Sequence, residues 1–110
     1  MSAVDTCTVS ITGRVVHDGI RDDARNEIAN VLVSVRATAT AAHPAIMRVS
    51  LRGKERERIK RWIDTGGLPG AIVAVTGRLV PYEHQPHSYR LDIEAWEMRI
   101  VKATATINEQ

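Results

Sequence analysis

Residues 47–79 constrain what this chain can fold into more than any other stretch, because the hydrophobic period changes twice within them. Met47, Val49 and Leu51 alternate with Arg48, Ser50 and Arg52, the period-two signature of a strand with one apolar face. Gly53 halts that strand. Ile59, Trp62 and Ile63 then recur at i, i+3 and i+4, one narrow apolar stripe on a short helix over 54–64. Every residue from Lys54 to Arg58 is charged, so the rest of the helix surface is solvated. Gly66, Gly67, Pro69 and Gly70 punctuate the turn that follows. Alternation then resumes, with Val73, Val75 and Leu79 on one face and Arg78 on the other. A helix with so narrow a stripe plugs the end of a strand assembly; it cannot cover a sheet.

The flanking segments read as strands joined by polar turns. Over 7–16, Cys7, Val9, Ile11 and Val15 share one face and Thr8, Ser10, Thr12 and Arg14 the other, with Gly13 marking a bend or bulge. Asp18 and Gly19 signal a turn, and 21–27 is polar with mixed charge, so 17–30 reads as a long solvated hairpin loop. A second strand over 29–40 sets Val31, Val33, Val35, Ala37 and Ala39 against Leu32, Ser34, Arg36, Thr38 and Thr40. A short connection through His43 and Pro44 leads to the third strand, 46–52. After the fourth strand, 71–80, two prolines place a hairpin loop at 81–88. The fifth strand, 89–101, changes phase from Leu91, Ile93 and Ala95 to Trp96, Met98 and Ile100, which a bulge near Ala95 would produce. Residues 103–110 are a short polar end.

Phe is absent, and Trp62, Trp96, Tyr82 and Tyr89 are the whole aromatic complement, so the core must be built from Val, Ile, Leu and Ala. The 110 residues make one domain, 1–110, with its ordered part over about 7–101. Cys7, the sole cysteine, excludes an internal disulfide and a thiolate zinc cluster, suits a reducing compartment, and reads as a small buried hydrophobe. No apolar run approaches the ~20 residues that span a bilayer, and no basic-then-apolar leader opens the chain, so a cytoplasmic location with no membrane partner is expected. The net charge of +2 is too small to announce nucleic acid, and the placement of the charges must decide. No Ser/His/Asp grouping, glycine-rich phosphate loop or paired-carboxylate motif has the context that catalysis requires, so a binding protein without cofactor is expected and not an enzyme. His84 and His87 could ligate a metal only with Glu83 as third donor, and a solvated loop is the simpler reading.

Five strands with one short helix between the third and fourth point to an all-β, five-stranded OB-fold barrel. A sandwich needs more strands, and an open α+β sheet needs a longer helix with a wider apolar stripe. Gly13 and Gly77 fit the sharp bends of barrel closure. The chain resembles the bacterial single-stranded DNA-binding protein family over about 8–101. The resemblance is carried by Val9-Ser10-Ile11-Thr12-Gly13-Arg14-Val15, by Arg48-Val49-Ser50-Leu51-Arg52-Gly53-Lys54, by Gly70-Ala71-Ile72-Val73-Ala74-Val75-Thr76-Gly77-Arg78-Leu79 and by Tyr89-Arg90-Leu91-Asp92-Ile93-Glu94. It implies an OB-fold that binds single-stranded DNA as a homodimer or homotetramer. The family stacks bases on aromatic side chains along the second and third strands and in the hairpin after the fourth. This chain has Ala39, Ile46 and Arg52 in those strands, and Tyr82 alone matches in the hairpin. Replicative members also end in an acidic, aromatic-tipped tail that Ile107-Asn108-Glu109-Gln110 does not match, so the resemblance implies an accessory role in replication, recombination or repair.

Apart from the resemblance, the arginines argue for nucleic acid. With the apolar sets facing inward, Arg14, Arg36, Arg48, Arg52, Arg78 and Arg90 all project outward, and a guanidinium both pairs with phosphate bidentately and stacks on bases. The expected contacts are Arg36, Arg48, Arg52, Arg78 and Arg90, with Tyr82 as the stacking residue; binding would be arginine–phosphate dominated and low in sequence specificity. The competing reading makes these arginines the solvated face of any barrel, some paired with Asp92 or Glu94, in an OB-fold protein-interaction or structural subunit. DNA and RNA both offer phosphates and stackable bases, so these residues do not choose between them. Trp62 belongs to the core by its spacing from Ile59, whereas Trp96 is either buried at a barrel end or part of a subunit contact. Thr8, Ser10 and Thr12 give the first strand a short-side-chain face suited to pairing with a second copy.

Overall fold

Strand alternation dictates most of the architecture. The computed structural model describes residues 7–36, 38 and 42–103, apart from the side chains of Glu83, His84 and Tyr89. Its strands are β1 (Thr8–Asp23), β2 (Ile28–Val35), β3 (Ala45–Arg52), β4 (Ile72–Gln85) and β5 (Ser88–Lys102), with helix α1 (Gly53–Thr65) between β3 and β4. They close into a barrel in the order β1-β2-β3-β5-β4, antiparallel except for the β3–β5 pair. This is the five-stranded OB-fold barrel that the sequence predicts.

Most of the expected inward sets are buried, but Leu91, expected to face inward on β5, is 54% exposed because it pairs with Pro81 past the part of β4 that β1 covers. Val15, Val31, Val33, Val49, Leu51, Val73, Val75 and Ile93 are buried along the barrel axis, and Met98 joins them after the phase change in β5. Ile59 of α1 and Leu68 of the following turn close one end, with Trp62 and Ile63 packed against the core, so the helix is the plug its stripe implies. The helix is also tied by charge. Arg56 makes a bidentate pair with Asp22 of β1, at 2.9 and 3.0 Å. Glu55 accepts from the Met98 N–H of β5 at 3.0 Å and from Arg58 at 2.6 Å.

Barrel closure rests on two close approaches. A Cβ at Gly13 would stand 2.5 Å from the Ser34 carbonyl oxygen, and one at Gly77 would collide with the Glu94 carbonyl oxygen and lie 2.9 Å from the Ala95 Cα. Both backbones must pass where a side chain would sit, so glycine is a packing requirement at each.

Several boundaries differ from the sequence reading. Residues 17–23, expected in a loop, continue β1 instead. Val15 pairs with Val33 and Ile20 with Val31, so 16–19 of β1 stand opposite Leu32 alone. The signal at Asp18 and Gly19 is thus a wide bulge inside a strand, and the bulge breaks the alternation that would have revealed it. The turn itself lies at 24–27, held by Asp23, which accepts from the Asn26 backbone at 3.2 Å and side chain at 2.7 Å. Strand β2 ends at Val35, not near 40; Ala37, Ala39 and Thr40 lie outside the described residues. The expected 81–88 loop is mostly paired: Pro81 faces Leu91 and Tyr82 faces Arg90 in a two-stranded ribbon beyond the barrel. Pairing with β1 stops at Arg78, so β4 is an edge strand there and tolerates proline. The bulge near Ala95 is present, with Gly77 opposite Ala95 and Thr76 opposite Glu97. Trp96 is the extra residue and is 57% exposed, which excludes burial at a barrel end. Cys7 is exposed, not buried, because it precedes β1 and lies outside the barrel layers.

Candidate nucleic-acid interface

The inward valines and leucines of β2, β3, β4 and β5 push the intervening residues onto one outer surface, and strand pairing fixes their neighbours. Across β2 and β3, Ile28 lies beside Arg52, Asn30 beside Ser50 and Leu32 beside Arg48. The parallel β3–β5 pair continues these rows, with Arg48 beside Asp92 and Ser50 beside Glu94. Strand β4 completes them, with Val80 beside Asp92, Arg78 beside Glu94 and Tyr82 beside Arg90. A groove of about 200 Å³ runs over this surface, lined by Arg48 and Arg52 from β3, Tyr82 from β4 and Asp92 and Glu94 from β5.

Five of the six predicted contact residues therefore share one surface. Arg52 is exposed at its rim. Arg48 donates from Nε to Asn30 Oδ1 at 3.4 Å and lines the groove beside it. Arg78 donates to Glu94 at 2.8 Å, and Arg90 to Asp92 at 3.0 Å. These are the carboxylate pairings that the competing reading anticipated. The arginines of both pairs are about two-fifths exposed, so the pairs contribute little stability, and an incoming phosphate competes with carboxylates already in place. Tyr82 is half-exposed, and the Arg90 guanidinium carbon sits 4.5 Å from its ring centroid. Arg90 thus covers one face of the ring in a cation–π contact.

Arg36 stands apart. It lies just past β2 and lines a different groove with Thr12, Arg14 and Ser34. Arg14 is tied to the Gly70 carbonyl oxygen at 2.9 Å, which anchors the turn after the helix. The sequence reading passed over Asn30, Ser50 and Val80, each of which lines the groove. Parity was the available signal: Asn30 shares the outward phase of Leu32, but it was assigned to the edge of a loop. Of the histidine pair weighed as metal ligands, the His84 side chain lies outside the described residues, and no group of three ligating side chains occurs among those described. No helix among the described residues is long and apolar enough to cross a membrane.

No protein-family model matches the chain, and no curated protein matches its sequence. Solved structures do. The mitochondrial single-stranded DNA-binding protein Rim1 of S. cerevisiae superposes with a TM-score of 0.71 at 13% identity, over 91% of this chain and 99% of Rim1. The small single-stranded DNA-binding protein of Streptomyces coelicolor gives 0.66 at 20% identity, over 89% and 94%. The N-terminal domain of PriB from Thermoanaerobacter tencongensis, a dimeric structure, gives 0.57 at 17% identity, over 86% and 94%. At these identities the likeness establishes the fold, which matches the one expected from the sequence resemblance.

Proposed function

We propose that this chain is a non-catalytic single-stranded DNA-binding protein that holds the strand on the outer face of β2, β3, β5 and β4 with low sequence preference. One observation carries the reading: the pairing registers set Arg48, Arg52, Arg78, Arg90 and Tyr82 on a single grooved surface of an OB barrel. The fold it shares with single-stranded DNA-binding proteins of yeast mitochondria and Streptomyces supports it. Arg48 and Arg52 engage phosphates directly, Arg78 and Arg90 do so by exchanging carboxylate for phosphate, and Tyr82 stacks a base. With so few aromatic platforms, affinity comes mainly from phosphate contacts and falls steeply with salt. The protein acts as a homodimer or homotetramer in the cytoplasm, as an accessory in replication, recombination or repair.

A second reading has its own observation. Asp92 and Glu94 offset two of the four arginines on this face, as they would in an OB-fold protein-interaction subunit that no longer binds nucleic acid. Anisotropy titration of labelled oligothymidine at low and moderate salt separates the two. Saturable binding that weakens with salt supports strand binding; none at micromolar protein in low salt supports the interaction subunit. The same titration with oligouridine tests DNA against RNA.

A further inference from the structure

The bulge in β1 builds a second groove beside the arginine face. Because 16–19 stand opposite Leu32 alone, Asp18 and Gly19 are carried out of the ladder and form a wall above β2. Gly19 is required for this: a Cβ there would lie 2.7 Å from the Leu32 Cβ and 3.0 Å from the Val16 Cβ. The resulting space, about 300 Å³, has Leu32 and Ile20 as apolar surfaces and Asp18, Arg21, Asn30 and Arg48 as polar ones. Among the described residues no side-chain hydrogen bond or ion pair engages Asp18 or Arg21, so their polar atoms are open to a ligand. Asn30 and Arg48 line both grooves, so a strand lying along Arg48 and Arg52 passes the mouth of this one.

The charge pattern selects what enters. A phosphate offers only acceptors and would leave the Asp18 carboxylate unmatched, so the part of a strand that satisfies both Asp18 and the arginines beside it is a base, which is neutral, flat and edged with donors and acceptors. Guanine alone among the DNA bases presents two adjacent N–H donors on its Watson–Crick edge, which a carboxylate accepts together, beside an O6 acceptor that suits a guanidinium. We propose that the β1 bulge groove is a guanine subsite, with Asp18 accepting from N1–H and N2–H and an arginine, Arg21 or Arg48, donating to O6. Leu32 and Ile20 cover the ring faces. The proposal rests on the strand-binding reading above and adds one base-reading position to an otherwise sequence-tolerant path.

Two measurements test it. The first compares labelled oligothymidine with the same oligonucleotide carrying one central guanine. Wild-type protein should bind the guanine-containing strand about five- to tenfold more tightly, the lower part of the range for a good bidentate base contact. Asp18→Asn, which replaces one acceptor by a donor, should erase that ratio. The second titrates the protein with the nucleoside guanosine, and separately thymidine, while amide NMR shifts are followed. Guanosine should move Gly19, Ile20 and Leu32, and thymidine should not. If oligothymidine binds but guanine adds nothing and guanosine moves no bulge amide, the subsite is wrong and the strand-binding face stands. If guanosine moves the bulge amides but no oligonucleotide binds, the subsite stands and the strand-binding reading falls. A guanine gain that survives Asp18→Asn overturns the assignment of Asp18.

Discussion

At the level of single residues, the arginines of the outer face are not equivalent. Arg52 is exposed at the groove rim and Arg48 donates to Asn30, whereas Arg78 and Arg90 already have carboxylate partners. Arg52→Ala should weaken binding to all sequences alike and flatten the salt slope by about 0.7 per lost phosphate contact. Tyr82→Ala should cost ~1–3 kcal/mol of stacking and leave the slope nearly unchanged. Finding the slope change in the tyrosine variant instead would reverse the two roles. Glu94→Gln gives a sharper test, because it releases Arg78 from its pair. Binding at low salt should tighten about 1.5- to fivefold, matching the ~0.2–1 kcal/mol of an exposed ion pair, and the salt slope should steepen. An unchanged affinity would mean that Arg78 does not meet the strand.

Among the elements, α1 is the one whose attachment depends on protonation. Burial pushes the Glu55 carboxyl up, but its bonds from the Arg58 guanidinium and the Met98 N–H outweigh this and hold it below the ordinary glutamate value. A carboxylate depressed in the folded state stabilises it fully above the unfolded pKa and loses that contribution as pH falls through the folded one. Glu55→Gln should therefore lower stability by about 1 kcal/mol at neutral pH. The gap to wild type should narrow as pH falls below the ordinary glutamate value of about 4.3, where the unfolded chain takes up the proton that folded Glu55 resists. Urea melts at pH 7 and pH 3 measure it; a gap no larger at pH 7 than at pH 3 would mean that the Glu55 carboxylate does not help to hold the helix.

For the whole molecule, the open question of assembly falls on β1. Its first half pairs with β4, from Thr8 opposite Arg78 to Arg14 opposite Ile72, but β2 joins it only from Arg14 onward. Among the described residues no strand occupies the other edge of 8–13, where the exposed side chains are Thr8, Ser10 and Thr12. An uncovered, short-side-chain edge favours addition of a second strand, and a two-fold axis supplies one from another copy. Light scattering should give at least a dimer mass at micromolar concentration. Monomer mass across a hundredfold concentration range would contradict it.

Local patterning is enough to specify the barrel. Alternation in Val31 to Val35, Met47 to Leu51 and Val73 to Val75, and the narrow Ile59–Trp62–Ile63 stripe, are local patterns with one economical solution, and that solution is the fold observed. The sequence also named most of the candidate face, since outward parity on a strand follows directly from inward parity. Which of those residues meet depends on long-range strand pairing. Arg36 shares the outward parity of Leu32 and Ser34, yet it lines the groove of Arg14, because this end of β2 lies beside the first half of β1, with Ser34 opposite Arg14. Whereas Arg90 and Asp92 are i, i+2 neighbours that alternation already places on one face of β5, Arg78 acquired its Glu94 partner through the β4–β5 register, which no local pattern encodes. The bulge at Asp18 and Gly19 was invisible for the same reason. It exists because β1 must change phase to pair with β2 beyond Leu32, and that requirement comes from the partner strand and the closure of the barrel, not from the residues that form the bulge.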